Sequence, residues 1–171
     1  MWSAGCSTGE EPYSMAIALL EALRMNEIRL DIWDMKILAT DISTKVLETA
    51  ENGVYMHEQL PAYAPRDMVG RYFLKGTNEN AGMIKVKNSV KDIVRFRRLN
   101  FIESSYPFNK YFDVIFCRNV MIYFDEKMKR HMLSMFERHL CKLGYLFLGH
   151  SETMIGNGEF DSVNITVYRK K

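Results

Sequence analysis

The run FDVIFC, Phe112 to Cys117, is apolar at every position but Asp113. It does not alternate between apolar and polar residues, which is the pattern of a strand covered on both faces. Such a strand belongs to a parallel sheet with helices on either side, and the rest of the chain alternates to match. Trp2-Ser3-Ala4 leads into a loop with Gly5 and Gly9, then Pro12 in a first helical turn and Met15, Ala16, Leu19, Leu20 and Leu23 at helical spacing. Met35 to Ala39 is a short apolar run ending in Thr40-Asp41. Ser43-Thr44 then offers an N-cap for a helix with Val46, Leu47 and Ala50, closed by Asn52-Gly53. Residues 54–70, with Pro61, Pro65 and Gly70, read as a connecting segment. Arg71 to Lys75 and Met83 to Lys87 flank a Gly76–Gly82 loop and predict a hairpin. Val90 to Leu99 predicts a further strand. Asp125 caps a helix with Met128, Met132, Met135, Phe136 and Leu140 on one face, stopped by Gly144. Tyr145 to Leu148 reads as a buried strand, and Phe160 to Tyr168 as a more exposed, antiparallel edge strand.

With 171 residues the chain is one domain in size. At 47% hydrophobic and 26% charged it has the composition of a folded globular protein, which excludes disorder and low-complexity function. No stretch approaches the roughly 20 apolar residues of a membrane helix, and the start MWSAGCSTGEE is no secretory signal. A cytoplasmic protein is expected. Cys6, Cys117 and Cys141 are scattered and suggest neither disulfides nor zinc. His57, His131, His139 and His150 lack metal-ligand spacing, so no metal is expected. The net charge is +2, but Lys85, Lys87, Lys91, Arg95, Arg97 and Arg98 face only Asp92 over positions 83–98, a local basic stripe.

In open α/β sheets ligands bind at the carboxyl ends of the strands. Here those ends carry Gly5 to Glu11, Asp41, Asn100 and Arg118-Asn119. A glycine turn before the first helix allows close approach of an adenosine-containing cofactor. This turn lacks G-x-G-x-x-G spacing and a P-loop lysine, and it places Glu10 and Glu11 at the helix start. The two carboxylates complement the helix dipole and repel a pyrophosphate. S-adenosylmethionine has no phosphate and carries a sulfonium and an ammonium, so it is the adenosine cofactor that fits. Asp41 is placed either to accept the ribose hydroxyls or to cap the helix after it. Asn100 either meets the adenine edge or ends its strand in a turn. Arg118 pairs with Asp41 or covers a strand end. The methionines of 128–136 are core packing, and without Gly-x-Ser-x-Gly nothing supports a hydrolase.

The stretches WSAGCSTGEEPYSMA, ATDIS, RYFLKGT, LNF, FDVIFCRNVMIYFD and GHSE, in this order, closely resemble the CheR-type chemotaxis receptor methyltransferases. The resemblance implies a class I methyltransferase fold over residues 1–171: Rossmann-like and mostly parallel, with an antiparallel C-terminal strand. It also implies a small antiparallel β-subdomain inserted at 70–98 that docks on receptors. The implied activity is methyl transfer from S-adenosylmethionine to glutamate side chains of a chemoreceptor's cytoplasmic domain, giving methyl esters and S-adenosylhomocysteine. By the same resemblance Gly5 and Glu11 lie against the methionine part, Asp41 at the ribose, and Asn100 and Phe101 at the adenine. Arg118, Asn119 and Tyr123 then line the space between cofactor and substrate, with Arg118 and Tyr123 orienting both. A glutamate carboxylate is ionised at neutral pH, so no general base is needed, and positioning carries the rate. The basic stripe is either a lure for an acidic receptor helix or a solvated surface. The family also carries an N-terminal helical domain. This chain begins inside the first strand, so that strand is expected to be truncated and cofactor binding weaker than in a longer parent. Two rival readings are a class I methyltransferase acting on nucleic acid and a non-catalytic cofactor-binding module. Against the first, the strand end reads Cys-Arg-Asn-Val and not the Asn/Asp-Pro-Pro-Tyr of base methyltransferases.

Overall fold

The computed structural model describes residues 1–29, 33–109, 111–152, 154 and 158–171. Its strands are β1 (Trp2–Ala4), β2 (Ile37–Asp41), β3 (Val54–Met56), β4 (Phe73–Lys75), β5 (Met83–Val86), β6 (Val94–Arg98), β7 (Phe112–Cys117), β8 (Leu140–Leu148), β9 (Phe160–Asn164) and β10 (Val167–Lys170). The helices are α1 (Glu10–Met25), α2 (Thr44–Asn52), α3 (Arg66–Tyr72), α4 (Asn88–Lys91) and α5 (Glu126–His139).

Seven strands form the main sheet in the order β6-β2-β1-β7-β8-β10-β9. The first five run parallel, and β10 pairs antiparallel with both β8 and β9. This is the predicted α/β architecture. Its chain order reverses at β1, where neighbouring strands leave to opposite sides, and such a switch point opens a crevice at the strand ends. β1 is only three residues long, yet it is paired on both flanks: Trp2 opposes Leu38 on one side and Ile115 on the other.

Trp2 anchors this short strand. It is wholly buried, its indole N–H donates to Thr40 Oγ1 at 2.9 Å, and Phe101, Tyr106, Phe108, Phe112 and Phe136 surround its ring. A second cluster, with Tyr13, Ala16, Leu20, Ile37, Ala39, Leu47 and Phe96, fills the opposite face of the sheet under α1 and α2. The capping signals hold. Ser43 Oγ accepts from Val46 N, Asp125 Oδ1 accepts from Met128 N, and Gly53 closes α2 at φ 59°.

Several boundaries differ from expectation. The second sheet is three-stranded, in the order β3-β5-β4, so it includes Val54–Met56 from the supposed connecting segment. Val94–Arg98 instead lies beside β2 at the edge of the main sheet, with Val94 and Phe96 buried and Arg95 and Arg97 outward. The small sheet therefore does not coincide with residues 70–98. A three-residue strand starting directly after Gly53 is too short to show periodicity, and its partner lies about thirty residues on in β5.

Arg71 and Tyr72 end α3 and do not begin a strand, because Arg71 Nε and the Tyr72 hydroxyl both reach Glu21 on α1. Helix α5 stops at His139, short of Gly144, where Lys170 Nζ donates to the carbonyls of Glu137 and Leu140. Gly144 lies within β8, beside an irregularity in its pairing with β7 at which Leu143 has φ 62°. The single final strand is in fact the β9–β10 hairpin.

Candidate functional site

A cavity of about 590 Å³ opens at the carboxyl ends of β1, β2, β6 and β7, within the usual size range of small-molecule sites. Its walls include all eight residues named from the sequence: Gly5, Glu11, Asp41, Asn100, Phe101, Arg118, Asn119 and Tyr123.

The loop between β1 and α1 is held by the end of β2. Gly5 N and Cys6 N both donate to the Thr40 carbonyl, at 2.8 and 2.9 Å, and Ser7 N donates to Asp41 Oδ2 at 2.9 Å. To present these donors the backbone turns left-handed at Gly5, Ser7 and Gly9. Gly5 is required for a second reason, since a Cβ there would stand 2.3 Å from Val120 Cγ2. The glycine turn is thus in contact with the segment that follows β7.

Asp41 does not cap the helix after it; its carboxylate is a brace between two backbone segments. While Oδ2 holds Ser7, Oδ1 accepts from Ser43 N at 3.0 Å, so one carboxylate braces the loop and the approach to α2. The helix cap itself is Ser43. Each carboxylate oxygen has a second lone pair, and Asp41 also lines the cavity.

Glu11 stands in the first turn of α1, where an acid complements the helix dipole. Its Oε1 accepts from Ser3 Oγ at 2.8 Å, and its Oε2 is 3.8 Å from an Arg118 nitrogen. Arg118 therefore faces Glu11 and not Asp41. Burial pushes the Glu11 carboxyl above its ordinary range, and the Ser3 bond and Arg118 only partly offset this. A bound cation would lower it again. Glu10 is more exposed and takes the Thr8 hydroxyl on both oxygens. Burial and the Asp41 charge raise the Cys6 thiol to about 12, so it is a neutral wall of the site.

Asn100 forms the strand-end turn, its Oδ1 accepting from Ile102 N at 3.2 Å. Phe101 is mostly core, packed on Trp2 and Phe136. Tyr123 is 80% exposed at the rim. Asn119 has φ 58° and its N–H donates to Glu152. Sequence reasoning missed Val120, Ser3 and Glu152. Glu152 lay within the GHSE stretch, but nothing in its spacing signals that it meets residues more than thirty positions earlier.

The donor set suits S-adenosylmethionine. The cavity is lined by Glu10, Glu11 and Asp41, with Arg118 as its cation already facing a carboxylate. A phosphate finds no ready partner there, whereas a sulfonium and an ammonium do. The basic stripe runs from β5 through α4 to β6; none of its six residues is among those lining the cavity, and Arg98 at the end of β6 donates to the carbonyl of Ile42 behind the wall. Among the described residues no group of His, Cys, Asp and Glu is placed to hold a metal ion, and no helix is long and apolar enough to cross a membrane.

Comparison with known proteins agrees with this geometry. A solved glycopeptide N-methyltransferase, MtfA, superposes with a TM-score of 0.51 at 14% identity, covering 86% of this chain and 44% of its own, and so shares the fold. The chemotaxis protein methyltransferase of Borreliella burgdorferi is 41% identical over 170 residues, 99% of this chain and 58% of the relative. That of Salmonella typhimurium is 44% identical over 152 residues, 89% of this chain and 51% of the relative. The chain thus spans little more than half the length of these relatives. The family model described as "CheR methyltransferase, SAM binding domain" matches residues 1–169. The chain belongs to the CheR methyltransferase family and comprises its S-adenosylmethionine-binding domain.

Proposed function

We propose that this domain carries out methyl transfer from S-adenosylmethionine to glutamate side chains of chemoreceptors, forming glutamyl methyl esters. The observation that carries this reading is the pairing of Glu11 with Arg118 across an acid-walled cavity whose described lining holds no histidine. S-adenosylmethionine supplies the methyl group when bound. Glu11, buried and set in the first turn of α1, holds the ammonium end of the methionine part. Asp41 takes the ribose, and Asn100 with Phe101 the adenine. Arg118 is about half exposed, so it can turn from Glu11 toward an incoming carboxylate and fix its direction of attack. Tyr123 at the rim and Asn119 complete the orientation. No side chain removes a proton, because the acceptor carboxylate is already ionised.

The small sheet supplies a receptor-docking surface. Its outer positions Val54, Met56, Leu74 and Met83 are exposed and apolar. Chemoreceptor partners are further supported by the chemotaxis methyltransferases this chain resembles, and a cytoplasmic location follows from those partners.

Incubation with radiolabelled cofactor and receptor-containing membranes tests the proposal. Label on receptor that is released as methanol by mild base supports it. Label in added RNA or DNA, or base-stable label, overturns the substrate assignment. Cofactor binding without transfer, by this chain and by a longer form carrying the family's N-terminal domain, would mark a binding module.

A further inference from the structure

Glu152 is 6% exposed, and among the described residues its carboxylate accepts from four backbone N–H groups. Its Oε2 accepts from Gly149 N at 2.6 Å and Asn119 N at 3.0 Å; its Oε1 accepts from Val120 N at 2.8 Å and Met121 N at 2.6 Å. A buried carboxylate is tolerated only when its lone pairs are engaged, and here each oxygen receives two donors. Such charge-assisted bonds are short and strong. Three of them come from consecutive residues, Asn119, Val120 and Met121, curled into a concave nest by the left-handed backbone of Asn119. The fourth comes from Gly149, just after β8. There a Cβ would stand 2.6 Å from Glu152 Oε2 and 3.0 Å from Asn119 N. The carboxylate therefore clamps the segment after β7 to the end of β8.

Only one side of the cavity depends on this clamp. Asn119, Val120 and Tyr123 line it from the clamped segment, and Val120 abuts Gly5. Asp41 and the glycine loop are tethered to β2 through Thr40 and Asp41, and Asn100 is held in its own turn after β6. None of those tethers passes through Glu152. The geometry points to Glu152 as the positioning residue for the methyl-acceptor wall of the site. Its carboxylate sets Asn119, Val120 and Tyr123 for transfer while leaving the adenosyl side intact. This role rests on the methyltransferase activity proposed above.

Glu152→Gln keeps the size of the side chain but turns one oxygen into an amide that faces two N–H donors. Gly149→Ala keeps the charge and wedges the clamp apart. In both variants the amides of Asn119, Val120 and Met121 should exchange with solvent at least about tenfold faster than in the wild type. The calorimetric dissociation constant for S-adenosylhomocysteine and the KM for S-adenosylmethionine should stay within about threefold. The kcat for receptor methylation should fall by roughly ten- to a hundredfold, as expected when reacting groups are displaced. Unchanged exchange, unchanged kcat, or a loss of cofactor affinity in step with kcat overturns the assignment. If Glu152→Gln does not fold, Gly149→Ala decides by the same criteria. If the wild type methylates no receptor, the proposed function fails instead, and exchange with homocysteine-product calorimetry still judges the clamp: faster exchange at unchanged affinity upholds it, and any other result rejects it.

Discussion

The Tyr55 hydroxyl donates to the Thr8 carbonyl at 2.7 Å, joining the small sheet to the loop that walls the cavity. The contact is close on every side. A Cβ on Gly9 would lie 3.0 Å from the Tyr55 oxygen and 2.8 Å from the Ala50 side chain, and the Tyr55 ring meets Tyr13 edge-on. Through this hydrogen bond the small sheet is mechanically part of the candidate site. Tyr55→Phe removes that bond and leaves the ring. The expected loss is about 0.5 to 1.5 kcal/mol, seen by calorimetry as roughly two- to tenfold weaker S-adenosylhomocysteine binding. Unchanged affinity would mean that the loop holds its shape without the sheet.

Asp41 accepts from both Ser7 N and Ser43 N, so binding and stability should fall together when it is truncated. Asp41→Ala is expected to lower cofactor affinity by about 1 to 3 kcal/mol and also to lower the thermal midpoint, because two backbone donors, one exposed and one half-buried, lose a charged acceptor. A midpoint shift at constant affinity would reduce Asp41 to a brace.

Gly5→Ala combines a left-handed backbone, at φ 82°, with a collision against Val120. A loss of about 1 to 3 kcal/mol in unfolding free energy is expected. Adding Val120→Ala should recover the steric part alone, and a double-mutant cycle in denaturant titrations would report the coupling. Purely additive losses would show that the two residues do not meet.

Acidification should weaken cofactor binding through Glu11. Its carboxyl is raised by burial above the ordinary 4.5, so proton and cationic ligand compete from a pH above that value, and affinity declines as pH falls through the raised pKa. The effect on folding has the opposite sign. A raised carboxyl contributes stability that is full below pH 4.5 and is lost as pH rises through the folded-state value. Glu11→Gln should flatten both profiles while weakening binding at neutral pH. Calorimetry between pH 5 and 8, with melts over the same range, checks the pair of slopes.

Much of the fold was legible because its signals are local. The unbroken apolar run of Phe112–Cys117, the helical spacing after Pro12 and the caps at Ser43, Gly53 and Asp125 each depend on neighbours within one or two turns. The strand-end set was legible for a topological reason: in a parallel sheet the residue after each strand must lie on one rim, so Gly5, Asp41, Asn100 and Arg118 could be grouped from their places in the chain. The acidity of the helix start further limited what ligand the group would accept.

Which partner each of those residues takes was decided only in three dimensions. Arg118 meets Glu11 and not Asp41, Val54–Met56 joins a second sheet, Val94–Arg98 joins the first, and Lys170 ends α5 before Gly144. Glu152 is the extreme instance, a carboxylate whose burial depends on N–H groups brought to it by a glycine and a left-handed asparagine from another strand end. Hydrogen-bond geometry of this kind acts over a few ångströms between segments far apart in the chain, so periodicity and capping patterns carry no trace of it. The local chemistry selected the elements, and the packing of β7 against β8 chose which donors a buried charge would find.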